Sequence, residues 1–258
     1  MEIDPNYAMA WSNKGNALCG LGKYDEGVKC CEKAIELSPG IGPAWSGKGV
    51  GLIGLGRYQE ALDALDKATE VDPNCDMSWL NRGVALKNLG RSEEALASYD
   101  RAMELDPGLA ATAWSNKANV FYGQRKYDEA ISSMDKAIEL DSNSSDLWYG
   151  KGEILADAGK NEEALKCYDK ALELNPGQAM AWSGKAYVLC NLKRYDEALQ
   201  AVGKAIELDP QNAGLWNNKS LVLEALGRKD EANECHNKTI ELGLESEEGD
   251  RLLSVVGQ

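Results

Sequence analysis

The chain has 258 residues, with 28 Lys and Arg against 42 Asp and Glu, a single His and a formal net charge of −14. Such an acidic balance argues against a nucleic-acid backbone as partner, because that binding leans on a basic footprint. No uninterrupted apolar run approaches the ~20 residues of a membrane span, Met1-Glu2-Ile3-Asp4 opens acidic rather than as a targeting segment, and the seven cysteines form no CxxC pair; the expectation is a cytoplasmic protein with reduced thiols and no membrane contact.

Seven tryptophans, Trp11, Trp45, Trp79, Trp114, Trp148, Trp182 and Trp216, are separated by 34, 34, 35, 34, 34 and 34 residues, so one unit recurs seven times. A unit of this length covers its apolar face only by stacking on copies of itself, which gives an extended array rather than a globule with one pocket. Counted from three residues before each Trp, the repeats start near residues 8, 42, 76, 111, 145, 179 and 213 and fill residues 8–246.

Within each repeat the first predicted helix carries its apolar or small residues at positions 4, 8 and 11, with Gly15, Gly49, Gly83, Ala118, Gly152, Ala186 and Ser220 at position 8. Gly22, Gly56, Gly90, Gly159 and Gly227 at position 15 can turn left-handed and end that helix. An acidic pair such as Asp25-Glu26 then favours the positive start of a second helix. Its apolar face runs through positions 17, 20, 24, 27 and 28, and it closes at Ser38-Pro39, Asp72-Pro73, Asp106-Pro107, Asn175-Pro176 and Asp209-Pro210, where proline cannot continue a helix. Small residues at positions 8 and 20 imply that the two backbones cross closely. Strand signals are absent, so the fold class is all-α.

Three departures from regularity stand out. One extra residue near Ala110 and Ser142 in place of proline bracket the fourth repeat, where irregular stacking is expected. Residues 1–7, with Ile3-Asp4-Pro5-Asn6-Tyr7, read as the remnant of a preceding repeat, which would leave a helix face uncovered and invite end-to-end self-association. Residues 247–258, with Leu252, Leu253, Val255 and Val256, read as a C-terminal helix, either a cap or a partial repeat.

Trp at position 4, Gly or Ala at 8, Tyr at 17, Ala at 20 and 27 and Pro at 32 resemble the tetratricopeptide repeat (TPR), and the Lys or Arg at position 7 resembles its Trp-x-x-Lys-Gly subtype. The resemblance implies a right-handed superhelical solenoid of about seven antiparallel helix pairs, whose first helices line a concave groove through positions 2, 5, 6, 9, 12 and 13. By that register the candidate peptide-binding residues are Asn13 and Asn16 in repeat one, Val50 and Ile53 in repeat two, and Leu80, Asn81, Val84 and Lys87 in repeat three. Asn116, Asn119 and Tyr122 follow in repeat four, Tyr149, Glu153 and Asp157 in repeat five, Tyr187 in repeat six and Asn218 in repeat seven. The groove is apolar and neutral first and acidic later, so the expected ligand is a protein or peptide segment with apolar residues and a basic flank.

Two recognition modes of similar repeats can be compared residue by residue. The clamp that co-chaperones of this family use to hold a C-terminal carboxylate needs Lys at 5, Lys at 2 and Arg at 6, and none occurs here. Asn13, Asn81, Asn116 and Asn218 at position 6 are similar instead to an interrupted form of the asparagine ladder in O-linked N-acetylglucosamine transferase arms, where an amide can pair with a peptide backbone. The alternative is that these amides bond between neighbouring first helices.

The cations at position 7, Lys14, Lys48, Arg82, Lys117, Lys151, Lys185 and Lys219, should face the second helices, where Glu32, Asp66, Asp100, Asp135 and Asp169 stand at position 25. Catalysis has little to draw on. His236 occupies position 24, filled by packing residues in the other repeats, and reads as a packed or end-exposed histidine; Gly20-Leu21-Gly22 and Gly49-Val50-Gly51 follow no strand, so they read as turn and packing glycines rather than phosphate loops. No catalytic residue, cofactor or metal site is expected. The functional reading is a non-enzymatic interaction scaffold, with a regulatory or substrate-recruiting arm of a larger enzyme or secretion complex as the alternative.

Overall fold

A computed structural model describes residues 7–243. The expected repeat remnant, apart from Tyr7, and the expected C-terminal helix at 247–258 lie outside the described residues. Among those described there are fourteen α-helices and no strand. The first helices of the repeats (A helices) are α1 Ala8–Gly20, α3 Gly42–Gly54, α5 Asp76–Asn88, α7 Ala110–Gly123, α9 Ser145–Asp157, α11 Ala179–Asn191 and α13 Ala213–Ala225. Their partners (B helices) are α2 Tyr24–Leu37, α4 Tyr58–Val71, α6 Ser92–Leu105, α8 Tyr127–Leu140, α10 Asn161–Leu174, α12 Tyr195–Leu208 and α14 Lys229–Glu241. Each A helix packs on its own B helix.

The turn between the two helices is the same in all seven repeats. The residue at position 15 takes a positive φ and the N–H of the next residue reaches five residues back, as in Lys23 to the Leu18 carbonyl at 2.9 Å and Arg228 to Leu223 at 2.9 Å. This satisfies carbonyls that a helix end leaves open. Five of these residues are glycine, as predicted. The other two are Arg125 and Lys193, each at φ 58°, a conformation that costs a side-chain-bearing residue energy because its Cβ crowds the carbonyl.

The turn from one repeat to the next is fixed by the tryptophans. Each ring is half-buried, and in repeats two, three, six and seven the indole Nε1–H donates to the carbonyl six residues upstream: Trp45 to Pro39 at 2.8 Å, and Trp79 to Pro73, Trp182 to Pro176 and Trp216 to Pro210 at 3.0 Å. Trp148 makes the same bond to Ser142 at 3.0 Å, so a backbone carbonyl suffices and proline is dispensable there. In the fourth repeat the extra residue is absorbed by a 3-10 turn, Pro107–Leu109, with Asp106 accepting from the Gly108 N–H at 2.8 Å. Among the described residues Trp114 has no such carbonyl bond. Two ammonium groups stack on its ring instead, Lys117 at 4.5 Å and Lys136 at 4.0 Å from the centroid. The expected irregularity of this repeat is therefore confined to its entry turn.

The helices group into two compact units, one up to Leu140 and one from Asp141 onward. In the first, the A helices follow one another in contact, α1 on α3, α3 on α5 and α5 on α7. Its core joins Leu52, Leu62, Leu65, Leu86, Tyr99 and Val120, with the alanines Ala61, Ala95 and Ala102 at the close helix crossings. In the second unit α9 contacts α11, and Val202, Leu189, Ala198, Leu215 and Val222 form the main core cluster. Leu223, Ala232 and Cys235 extend it between α13 and α14.

Candidate functional site

The charged residues explain the surface before any site is considered. Position 16 pairs with position 19 at the start of a B helix, as in Arg57 with Glu60 and Arg91 with Glu94, and position 26 pairs with position 29, as in Lys67 with Glu70 and Lys204 with Glu207. Side-chain hydrogen bonding holds the Glu60, Glu94, Glu197 and Glu231 carboxyls below the usual carboxylate range. Most charge is thus spent along exposed helix faces.

The cations at position 7 tie each repeat to the one before it. Lys48 pairs with Glu32 at 2.9 Å, and Arg82 with Asp66, Lys117 with Asp100 and Lys185 with Asp169 at 2.6 Å, in each case with the position 25 acid of the preceding repeat. Each of these cations except Lys48 also lies within 6 Å of the Trp three residues earlier, Arg82 at 5.6 Å and Lys185 at 5.4 Å from the ring centroid. They face the B helices, as predicted, and take no part in the A-helix face. In repeat six position 25 is Gly203, which offers Lys219 no carboxylate.

On the A-helix face of the first unit, Asn13, Asn16 and Asn119 are exposed, and Val50, Ile53, Asn81, Val84, Lys87, Asn116 and Tyr122 are half-buried. Asn16 bridges to the next A helix, donating to the Pro43 carbonyl at 3.4 Å. Asn81 and Asn116, on the adjoining helices α5 and α7, make no side-chain hydrogen bond among the described residues. Leu80 requires a correction: it is 5% exposed and belongs to the core with Leu62, Leu65 and Tyr99. Position 5 lies where the A-helix face turns into the contact between helix pairs, and Ser12 at the same position is fully buried as well. A long apolar side chain there folds onto the core rather than standing in water.

In the second unit Tyr149, Glu153, Asp157, Tyr187 and Asn218 are all half-buried on the A-helix face. Tyr149, Glu153, Tyr187 and Asn218 converge, with Tyr168, Met180, Ser183 and Gly184, on a cavity of about 110 Å³. Tyr168 comes from α10, a B helix; its position 24 reads from sequence as core, and it is buried, bordering the cavity from within. Gly184 admits it: a Cβ there would stand 2.6 Å from Tyr168 Cζ and 2.9 Å from its Oη. The Tyr149 and Tyr168 rings meet at 6.1 Å between centroids with a 46° tilt. Asp146, exposed at the edge of this face, accepts from Gln178 Nε2 at 3.0 Å. The place of Tyr168 beside the cavity is signalled in the sequence by the glycine at position 6 one repeat after a tyrosine at position 24.

Other features carry less chemistry. A wider cavity of about 530 Å³ beside Trp182 lies on the side of the B helix, and its Lys185, Glu197, Lys204 and Glu207 are already paired within the chain. Six of the seven cysteines are buried, and burial pushes the Cys31 and Cys190 thiols up to about 12, far from a neutral-pH nucleophile. Among the described residues no group of three His, Cys, Asp or Glu could hold a metal ion, and no helix is long and apolar enough to cross a membrane. His236 is exposed on α14.

Comparison with known proteins agrees with the repeat pattern. Residues 103–258 match the family described as cilia and flagella-associated protein 70 C-terminal domain, and residues 47–110 and 8–40 match tetratricopeptide repeat families. The solved structure of YrrB, described as a TPR protein with an unusual peptide-binding site, is 28% identical over 76% of this chain and 100% of that one, with a TM-score of 0.57. Pseudomonas aeruginosa pilF is 22% identical over 83% of this chain and 96% of its own, with a TM-score of 0.67. The APC/C hetero-tetramer Cut9-Hcn1 is 16% identical over 95% of this chain and 48% of that chain, with a TM-score of 0.72. The last two share the fold alone. No curated protein matches the chain. With 437 matching chains among solved structures, the fold by itself singles out no activity, and function has to be argued from side chains.

Proposed function

The chain belongs to the tetratricopeptide repeat family, and from that premise we propose that it is a non-enzymatic scaffold whose A-helix faces bind a polypeptide segment. One observation carries this reading. Asn81 and Asn116 stand at the same register position on adjoining A helices, half-buried, with their amide groups unspent among the described residues. An amide both donates and accepts, so a row of them can follow an extended backbone without reading its side chains. The alternative role, a bond between neighbouring A helices, is taken by Asn16 instead. YrrB, whose structure is described as having an unusual peptide-binding site, lends support at 28% identity.

The ligand we favour is apolar where it meets Val50, Ile53 and Val84, and basic where it meets Glu153 and Asp157. A reducing compartment, the cytoplasm, suits seven thiols of which six serve as small packing residues. Exposed Tyr7, Met9 and Leu21 beside α1 offer a surface for end-to-end association of copies. Sedimentation over a wide concentration range reads that directly, and a monomer throughout would rule it out.

The test of the scaffold reading is a double substitution, Asn81→Ala with Asn116→Ala. Losing two backbone hydrogen bonds should weaken a selected peptide by roughly 5–150-fold, at about 0.5–1.5 kcal/mol per bond, and leave the melting temperature unchanged. Unchanged peptide affinity would remove the amide row from the site.

A further inference from the structure

We infer that the cavity on the A-helix face of the second unit is a subsite for one basic side chain, arginine before lysine, projecting from a bound polypeptide segment. The inference rests on the reading of the A-helix face as a peptide-binding surface. Three kinds of observation converge on it.

The first is size. A volume of about 110 Å³ is well under the ~300–1,000 Å³ of small-molecule pockets, so it accommodates one side chain rather than a free metabolite. The second is wall chemistry. Tyr149 and Tyr187, half-buried, present aromatic surface, whose ring faces attract cations, with the buried Tyr168 packed against Tyr149 behind them, and Glu153 supplies the carboxylate. A planar guanidinium can stack on a ring while its N–H groups reach the carboxylate, which an ammonium does less well. Met180, 56% exposed at the rim, can cover the aliphatic stem. The third is field. An acidic side chain would meet Glu153 in a chain of net charge −14, so the same groove that draws a base repels an acid.

Gly184 shows that this cavity depends on a specific side-chain pair rather than on the repeat pattern. Position 6 holds asparagine in four repeats, Asn13, Asn81, Asn116 and Asn218, and any Cβ at Gly184 would displace the Tyr168 ring from the cavity. With glycine there the buried Tyr168 ring packs close to α11 and closes the inner wall of the cavity.

Randomised dodecapeptides displayed on phage and selected on the full chain provide the probe. The best selected peptide is then synthesised with each arginine replaced by citrulline, its neutral isostere, and each lysine by norleucine. One replacement should weaken binding about tenfold in the wild-type protein. In Glu153→Gln the same replacement should matter about twofold or less, while Glu163→Gln, an exposed change of equal charge on α10, should behave as wild type. Tyr187→Leu, which alters no charge, should also reduce the preference for arginine over citrulline. Selected peptides without a basic residue, full discrimination retained in Glu153→Gln, or equal loss in Glu163→Gln would each overturn the subsite and leave peptide binding standing. A selection that yields no binder at all would overturn both.

Discussion

Lys117 is 9% exposed, paired with Asp100 at 2.6 Å and stacked on Trp114 at 4.5 Å. It stands in the repeat whose tryptophan lacks the carbonyl bond, so more of that repeat's attachment passes through this one side chain. Lys117→Glu places a second acid against Asp100 and removes the stacking cation. The expected cost is about 2–4 kcal/mol, less than for a fully buried pair because Asp100 is half exposed. Urea denaturation measures it, and peptide affinity at saturating folded fraction should not change. A loss of affinity at unchanged stability would instead place the position 7 cations in the binding site. The sequence discloses this pairing well, since the acids recur at position 25 and opposite charges in register point to contact. It discloses Leu80 poorly: a helical wheel separates two faces, but whether a border residue turns to water or to the core depends on which neighbour leaves room, and that neighbour lies in another repeat. Tyr168 reads correctly as core, but that it borders the cavity is hidden for the same reason, because the space it enters is created by the absence of a side chain at Gly184.

At the level of helices and turns, period and punctuation carried nearly everything. Glycine at position 15 marked five ends of A helices, and the repeat spacing extended the same end to the other two. What spacing does not reveal is that Arg125 and Lys193 adopt the glycine conformation, at φ 58° each. The surrounding turn, with Lys126 bonded to the Phe121 carbonyl at 2.9 Å and Arg194 to Leu189 at 2.9 Å, imposes it. Arg125→Gly and Lys193→Gly should therefore each stabilise the chain, by about 0.5–1 kcal/mol after the greater unfolded freedom of glycine is subtracted. The denaturation midpoint should rise with an unchanged slope on denaturant. A fall at either site would mean that the side chain's own packing outweighs the backbone strain. The tryptophan bonds are a contrasting case: proline at position 32 reads as a helix stop, yet the feature the next repeat uses is the carbonyl, which Ser142 supplies equally well.

Across the whole molecule the ladder from position 25 to position 7 has a consequence for how such a chain can change in length. Each link joins an acid from one copy to a cation from the next, and the links at Glu32, Asp66 and Asp100 are chemically alike. Cutting out one period, residues 42–75, would bring Arg82 opposite Glu32 in place of Asp66 and lay α5 against α2 as α3 lies now. The shortened protein should fold cooperatively, with a smaller dependence on denaturant in proportion to the surface it no longer buries. A shortened chain without a cooperative transition would show that the junctions are individually matched instead. Interchangeable junctions make gain or loss of a whole period a mild event for a gene, since no compensating substitution is needed. Gly203 marks the one junction outside this rule: a copy with an acid at position 25 placed directly after it would take over the unmatched place and hand Lys219 a carboxylate, so growth there leaves the number of unmatched links as it was.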